Sequence, residues 1–410
     1  MEELCDAIRL FRFWWFGMKI GIYYTHSNPI SGGKFSFVHS ILESLPAATL
    51  DFNHEIIIFS EAANNLNIED HGFKFVPIKK SRSPRLSFLF ELIRALFSHF
   101  FAGKGFDLAQ VRNMKLNKLI RENRIDILWA IEQLDYPVNI PYATTHWDLG
   151  HRTIPIFPEL SFKNNLWIFR EKTMSRVLQQ ASLILVGTLQ GSREIQNAYG
   201  ITPERIFLAP LPLTKNSNKA QAKRDPNLFF YPAQFWSHKN HVTLLMAFSE
   251  SLKKTDRDLK LVLCGGDKGN LEYIKRLINK LGLVNNVSTP GFISDEELSN
   301  LYKSARMMIF PSFLGPDNLP PLEALNAGCE VAVSDIPGAR EQFGDAVIYF
   351  SPNSVSDISN TILGALKHPR SSKRQLKFKE LLLQERGSET YVRNVLRKIS
   401  SLETMLWNWE

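Results

Sequence analysis

The chain has 410 residues, 44% hydrophobic and 22% charged, which is too long for one ordinary core and too apolar for a disordered protein, so two domains are expected. Three dispersed cysteines, Cys5, Cys264 and Cys329, exclude a disulfide framework or a paired-cysteine metal site and fit a reducing compartment. The excess of 49 Lys+Arg over 41 Asp+Glu gives +8 and favours anionic partners: nucleotides, phospholipid surfaces or nucleic acid.

The first 17 residues read equally as an appended helix or as the product of an early start codon. Glu2, Glu3 and Asp6 stand where a secretory signal carries positive charge, and the apolar run 13–18 is fenced by Arg12 and Lys19. Neither export nor a membrane span is therefore expected. From Lys19 onward, short β-branched or aromatic runs alternate with longer amphipathic stretches, the pattern of parallel β-α-β construction. Strands are predicted at 19–25, 55–60, 73–78, 126–131, 142–145, 183–187 and 206–209. Residues 211–226, rich in Pro, Ser, Asn and Lys, read as a linker. A second series follows at 228–231, 259–264, 287–289, 307–310, 331–334 and 346–350. Residues 371–410 read as largely helical, with Tyr391, Val395, Ile399 and Leu402 at spacings of three and four, able to pack back across the junction. The expected divisions are 1–17, 18–210, 211–226, 227–370 and 371–410.

The chemistry-bearing residues fall where these strands end. Gly32 and Gly33 open the first helix after the first strand; they allow a close backbone approach and present N–H groups to an anion, although a simple turn explains them equally well. The pair is not a G-x-G-x-x-G fingerprint. In the second series, His238, Lys239 and Asn240 precede a helix. A lysine at a helix N-terminus opposes the dipole, so its presence asks for a reason, which an anionic diphosphate supplies. The densest segment is FPSFLGPDNLPPLEALNAGC, where prolines mark a helix start and Glu323 falls in the first turns. That carboxylate either complements the dipole or accepts hydrogen bonds from ribose hydroxyls.

In combination, Gly32-Gly33, PAQFWSHKNH, LVLCGG, TPGFISDEELSNLY and FPSFLGPDNLPPLEALNAGC resemble the retaining glycosyltransferases of GT-B family 4, also called glycosyl transferases group 1, from Met18 to about Leu366. The resemblance implies an α/β GT-B fold, two doubly wound Rossmann-like domains facing a cleft. It assigns donor binding to Gly32, Gly33, His238, Lys239, Asn240, Gly266, Phe292, Gly315, Asn318, Leu319 and Glu323. Asp148, His151, Lys239 and Glu323 carry the catalytic expectation. The chain departs from the family in three places. His238 replaces the usual arginine, and Gly315 replaces the first glutamate of Glu-x7-Glu, with Asp317 a nearby substitute. Trp147 replaces the usual histidine, leaving His146 or His151 to supply an imidazole to the sugar.

The implied function is transfer of a hexose, preferably mannose, from a nucleotide-diphosphate sugar to a glycan or lipid-linked glycan in polysaccharide or O-antigen synthesis. No metal or other cofactor is expected. The basic segment 79–85, followed by an apolar helical stretch, suggests peripheral contact with anionic membrane at the cytoplasmic face; a core helix with a solvated basic start is the competing reading. A nucleotide-sugar 2-epimerase and a non-catalytic GT-B scaffold are the alternatives, and dispersed basic residues argue against nucleic acid.

Overall fold

A computed structural model describes residues 17–25, 33–61, 72–78, 108–161, 166–213, 223–367, 386–406 and 408. Gly32, most of the N-terminal extension, the basic segment 79–85 with the apolar stretch after it, and residues 371–385 lie outside them. The first domain comprises β1 (Lys19–Tyr24), α1 (Gly33–Ala48), β2 (Glu55–Ser60), β3 (Lys74–Pro77), α2 (Leu108–Glu122), β4 (Ile127–Ala130), β5 (Tyr142–His146), α3 (Gly150–Thr153), α4 (Leu166–Gln180), β6 (Leu183–Val186), α5 (Leu189–Tyr199) and β7 (Ile206–Leu208). Its seven strands are all parallel, in the order β3-β2-β1-β4-β5-β6-β7.

The second domain follows with β8 (Leu228–Pro232), α6 (His241–Leu252), β9 (Lys260–Cys264), α7 (Leu271–Lys280), β10 (Val287–Gly291), α8 (Asp295–Ser304), β11 (Met307–Phe310), α9 (Leu319–Asn326), β12 (Val331–Ser334), α10 (Ala339–Phe343), β13 (Ile348–Phe350) and α11 (Val355–Lys367). Its six strands are again parallel, ordered β10-β9-β8-β11-β12-β13. In both sheets the order reverses beside the first strand, between β1 and β4 and between β8 and β11. Open α/β sheets bind ligands in the crevice beyond the carboxyl ends of strands at such a reversal.

The central strands are apolar runs because helices cover both faces: Ile127–Ala130, Leu183–Val186, Met307–Phe310 and Val331–Ser334 are buried throughout. Helix ends follow local chemistry. Ser294 caps α8 by accepting the Glu297 N–H at 3.2 Å while the Glu297 carboxylate returns to the Ser294 N–H at 2.8 Å. Thr188 caps α5 by accepting the Gly191 N–H at 3.0 Å.

The chain crosses between domains twice. Leu211 belongs to the first core and Leu213 to the second. After α11 the chain returns as α12 (Ser388–Ser400) and α13 (Glu403–Leu406). Tyr391, Val392, Val395, Leu396 and Ile399 of α12 lie in the first domain's core with Phe37, Ile41 and Leu45 of α1. Ser400 Oγ meets His54 Nε2 at 2.7 Å, which fixes the end of α12 against the first domain. No helix among the described residues is long and apolar enough to cross a membrane.

Candidate functional site

A cavity of about 160 Å³ lies between the domains at the carboxyl ends of both sheets. Its wall combines His146, Trp147, Asp148 and Gly187 of the first domain with His238, Lys239, Gly315 and Asn318 of the second. Sequence distance does not separate these residues in space, because each follows a strand that ends on the same side.

Lys239 dominates the second-domain wall. Among the described residues its ammonium meets neutral groups, the Ser312 hydroxyl at 3.4 Å and the Phe310 ring at 5.4 Å to the centroid. Among the described residues no carboxylate forms an ion pair with it. Desolvation pushes it down to about 8, with the Asp148 charge opposing. Lys239 is part-exposed in the cleft, so its ammonium stands ready for an anionic ligand.

Asn240, by contrast, is a backbone device. It sits at φ +60° as the N-cap of α6, and its amide donates to the Pro311 carbonyl at 3.0 Å and the Pro352 carbonyl at 2.8 Å. It fixes the loop that carries Lys239, with no amide hydrogen left over for a donor in this conformation.

Gly315 has φ +136°, and a Cβ there would collide with the Asn318 side chain. The Asn318 amide in turn donates to the Gly315 carbonyl at 2.7 Å, and Asn318 is the N-cap of α9. This loop is therefore built for glycine, which gives a backbone reason for the missing glutamate. Asp317 does not replace it. Its side chain, 6% exposed, is held by Arg386 at 3.5 Å, by the Leu211 N–H at 3.3 Å and by Gln342. Burial raises its carboxyl above the ordinary value, with Arg386 opposing. Asp317 also lines the cavity, but these bonds engage its carboxylate at the junction, where it braces the two domains rather than standing free for a sugar hydroxyl.

Leu319 opens α9, and Glu323 lies one turn later, where its carboxylate accepts the Tyr302 hydroxyl at 2.8 Å. Gly266 follows β9 and its carbonyl accepts the Phe235 N–H at 3.0 Å. Phe292 follows Gly291, which has φ +81°, and is 49% exposed. Gly33 opens α1, and no described atom lies within 4 Å of a Cβ built there.

In the first domain, Asp148 Oδ1 accepts the Gly150 N–H at 2.7 Å and pairs with Arg170 at 3.1 Å. Burial disfavours its charge, but Arg170 and the Gly150 amide outweigh that and hold its carboxyl below the usual range. His146 and His151 separate cleanly. His151 is fully buried with Nε2 3.0 Å from Glu171, outside the cavity wall. His146 lines the cavity, both ring nitrogens lack hydrogen-bond partners among the described residues, and burial holds it down at about 4. The imidazole facing the cavity is a neutral one.

Several residues here were not singled out from the sequence. Glu159 of the first domain accepts both the His238 N–H at 2.9 Å and His238 Nδ1 at 2.8 Å. Glu341 of the second domain accepts the Leu189 and Gln190 N–H groups at the start of α5, at 2.5 and 3.0 Å. Glu132, just after β4, is 4% exposed, accepts the Thr25 N–H at 2.9 Å and pairs with Lys34 at 2.8 Å. A carboxylate directly after an apolar strand was the available signal for Glu132. The other two pair across the domains and leave no local signal. Among the described residues no group of three or more His, Cys, Asp or Glu side chains is placed to hold a metal ion.

Parts of the chain resemble known proteins. Residues 214–380 match the family model of glycosyl transferases group 1. The group 1 match covers the second domain, which carries Lys239, Asn318 and Glu323. O-antigen chain mannosyltransferase B of Escherichia coli is 27% identical over 210 residues, 48% of this chain and 55% of that protein. O-antigen chain mannosyltransferase RfbU of Salmonella typhimurium is 26% identical over 159 residues, 39% of this chain and 44% of that protein. The chain thus spans about half the length of the curated relatives it matches. Among solved structures, sucrose-phosphate synthase of Thermosynechococcus elongatus superposes with a TM-score of 0.67 at 15% identity, over 95% of this chain and all of that one. Anabaena HepE in complex with UDP-glucose gives 0.65 at 17% identity, over 94% of this chain and 100% of that one. These likenesses carry a GT-B fold over both domains.

Proposed function

We propose that this chain is a retaining glycosyltransferase that moves a hexose from a nucleotide-diphosphate sugar to a glycan or lipid-linked glycan acceptor in O-antigen or related polysaccharide assembly. The observation that carries the reading is Lys239, a recessed ammonium with no ion-pair partner among the described residues, at the strand-order reversal of the group 1 domain. The names of the two relatives favour O-antigen synthesis and mannose as the donor sugar. The +8 charge and the basic segment 79–85 favour peripheral attachment at the cytoplasmic face of the membrane.

In this mechanism the bond from the anomeric carbon to the diphosphate oxygen breaks first, leaving an oxocarbenium-like sugar; the acceptor hydroxyl then bonds the anomeric carbon from the same face, and its proton passes to the departing phosphate oxygen. Lys239, His238 and the Leu319 N–H at the start of α9, where Pro320 and Pro321 carry no N–H, stabilise the departing diphosphate, an electrostatic contribution prepared before reaction. Glu323, fixed by Tyr302, accepts hydrogen bonds from the ribose hydroxyls. Gly33 borders the phosphates across the cleft, and Gly266 with Phe292 borders the base. Asp148 and His146 face the sugar, the anionic carboxylate favouring developing positive charge and the neutral imidazole accepting or donating one hydrogen bond.

Transfer from GDP-, UDP- and dTDP-sugars to a membrane extract tests the proposal. Lys239→Ala and Glu323→Ala are each expected to reduce kcat/KM for the donor by about 10- to 100-fold, the loss of one charge-assisted hydrogen bond. Full activity in the double variant refutes the site. Epimerisation of the donor without acceptor would establish the 2-epimerase reading, and an absence of nucleotide binding the scaffold reading.

A further inference from the structure

The cavity of about 160 Å³ is smaller than the roughly 300–1,000 Å³ usual for small-molecule sites, and it forms only the sugar-diphosphate end of the proposed donor site, since Glu323, Gly266 and Phe292 stand outside its wall. What holds the walls together is specific. Phe157 stacks on Phe313 of the second domain with centroids 5.5 Å apart and lies edge-on to the His238 ring at 6.4 Å. Two residues on, a single oxygen of Glu159 receives both the backbone N–H and the ring Nδ1 of His238. Both side chains are nearly enclosed, 11% and 12% exposed. The His238 carbonyl is engaged too, accepting the Phe313 N–H at 3.0 Å.

Two donors converging on one anionic oxygen, one of them a main-chain N–H, make the hydrogen-bonding geometry by which proteins hold a phosphate oxygen. Burial works against the Glu159 charge, but the bonds from His238 hold its carboxyl down at about 2, so the occupant is a full anion. Burial also holds His238 below its ordinary value, so the ring is neutral. A neutral ring bonded to a carboxylate through Nδ1 carries its proton there and presents only a lone pair at Nε2. While Glu159 is in place, His238 has no hydrogen to offer a phosphate.

We infer that Glu159 is a built-in competing ligand: its carboxylate occupies the anion position of His238 in the donor-free protein, and the donor diphosphate enters by displacing it. The inference rests on the donor site proposed above. Its consequence is coupling between donor binding and domain opening, since Glu159 and His238 belong to different domains. The observed donor affinity is the intrinsic affinity reduced by the fraction of molecules in which Glu159 has let go.

Calorimetric titration of GDP and UDP into the full chain and into Glu159→Gln tests this. Glutamine keeps the length of the side chain but weakens it as an acceptor, so the better-binding nucleotide is expected to bind about 5- to 50-fold more tightly to the variant. Adding His238→Ala to Glu159→Gln is expected to remove that gain, and melting curves confirm that all variants are folded. Equal or weaker binding by folded Glu159→Gln overturns the inference while leaving the donor site standing. Failure of both the parent chain and the variant to bind either nucleotide overturns the donor site and the inference together.

Discussion

Replacing Gly315 with glutamate would restore the residue type that the family resemblance places there, yet the structure predicts loss of donor binding. At φ +136° a side chain is strained by about 1–3 kcal/mol. The new Cβ also displaces the Asn318 amide, whose 2.7 Å bond to the Gly315 carbonyl contributes about 0.5–1.5 kcal/mol. Together these make roughly 1.5–4.5 kcal/mol, a factor of about 10 to 2,000 against the present loop. Asn318 is the N-cap of α9, so a displaced loop moves the helix N-terminus to which the proposed function assigns the diphosphate. Titration of GDP and UDP into Gly315→Ala and Gly315→Glu measures the effect, the alanine separating strain from charge. Both are expected to weaken binding by about 10-fold or more. Alanine binding within about twofold of the parent chain, or glutamate binding more tightly, would refute the reasoning.

Three further outcomes follow from named contacts. Lys239 titrates at about 8 in the free protein, and a bound diphosphate raises that value, so donor affinity is full below pH 8 and falls above it by up to about tenfold per unit. Lys239→Arg stays charged and flattens the slope; titrations across this range that show equal slopes count against Lys239 as the cation. Tyr302→Phe deletes the hydroxyl bound to Glu323 and should weaken nucleoside diphosphates by about 2- to 10-fold without affecting pyrophosphate, as calorimetry can compare. Asp317→Leu leaves the Arg386 guanidinium enclosed without its carboxylate, a loss of about 3–5 kcal/mol, and calorimetric melting should fall by at least about 6 °C. A fall below about 2 °C would show that the pair does not brace the junction.

The fold was largely legible because buried parallel strands must be continuous apolar runs, and segments such as Ile127–Ala130 and Met307–Phe310 have no other plausible use. Their order was not legible, since nothing in β8 or β11 alone states that they are neighbours. Within the site, the local signals were glycines, prolines and a lysine at helix starts, because each violates a local preference. Asn240 misled for the same reason: a polar residue beside Lys239 looks like a ligand, and only its φ of +60° and its two carbonyl partners reveal a backbone role. His146 and His151, five residues apart, could not be ranked by spacing. The choice is made by Glu171, twenty residues beyond His151, which draws that ring away from the cavity. Glu159 and Glu341 were invisible because their partners lie in the opposite domain.

The return of α12 to the first domain also bears on biosynthesis. The apolar face of α1, with Phe37, Ile41 and Leu45, is completed by Tyr391, Val395 and Ile399, translated long after the rest of that domain. At about 5–20 residues per second, the roughly 190 residues between Leu211 and Ser400 take about 10–40 s to emerge, and throughout that interval the nascent first domain carries an uncovered greasy groove. The emerging polypeptide therefore exposes that groove until α12 docks, and a chain ending after α11 would keep its second domain whole while leaving the groove of the first domain open.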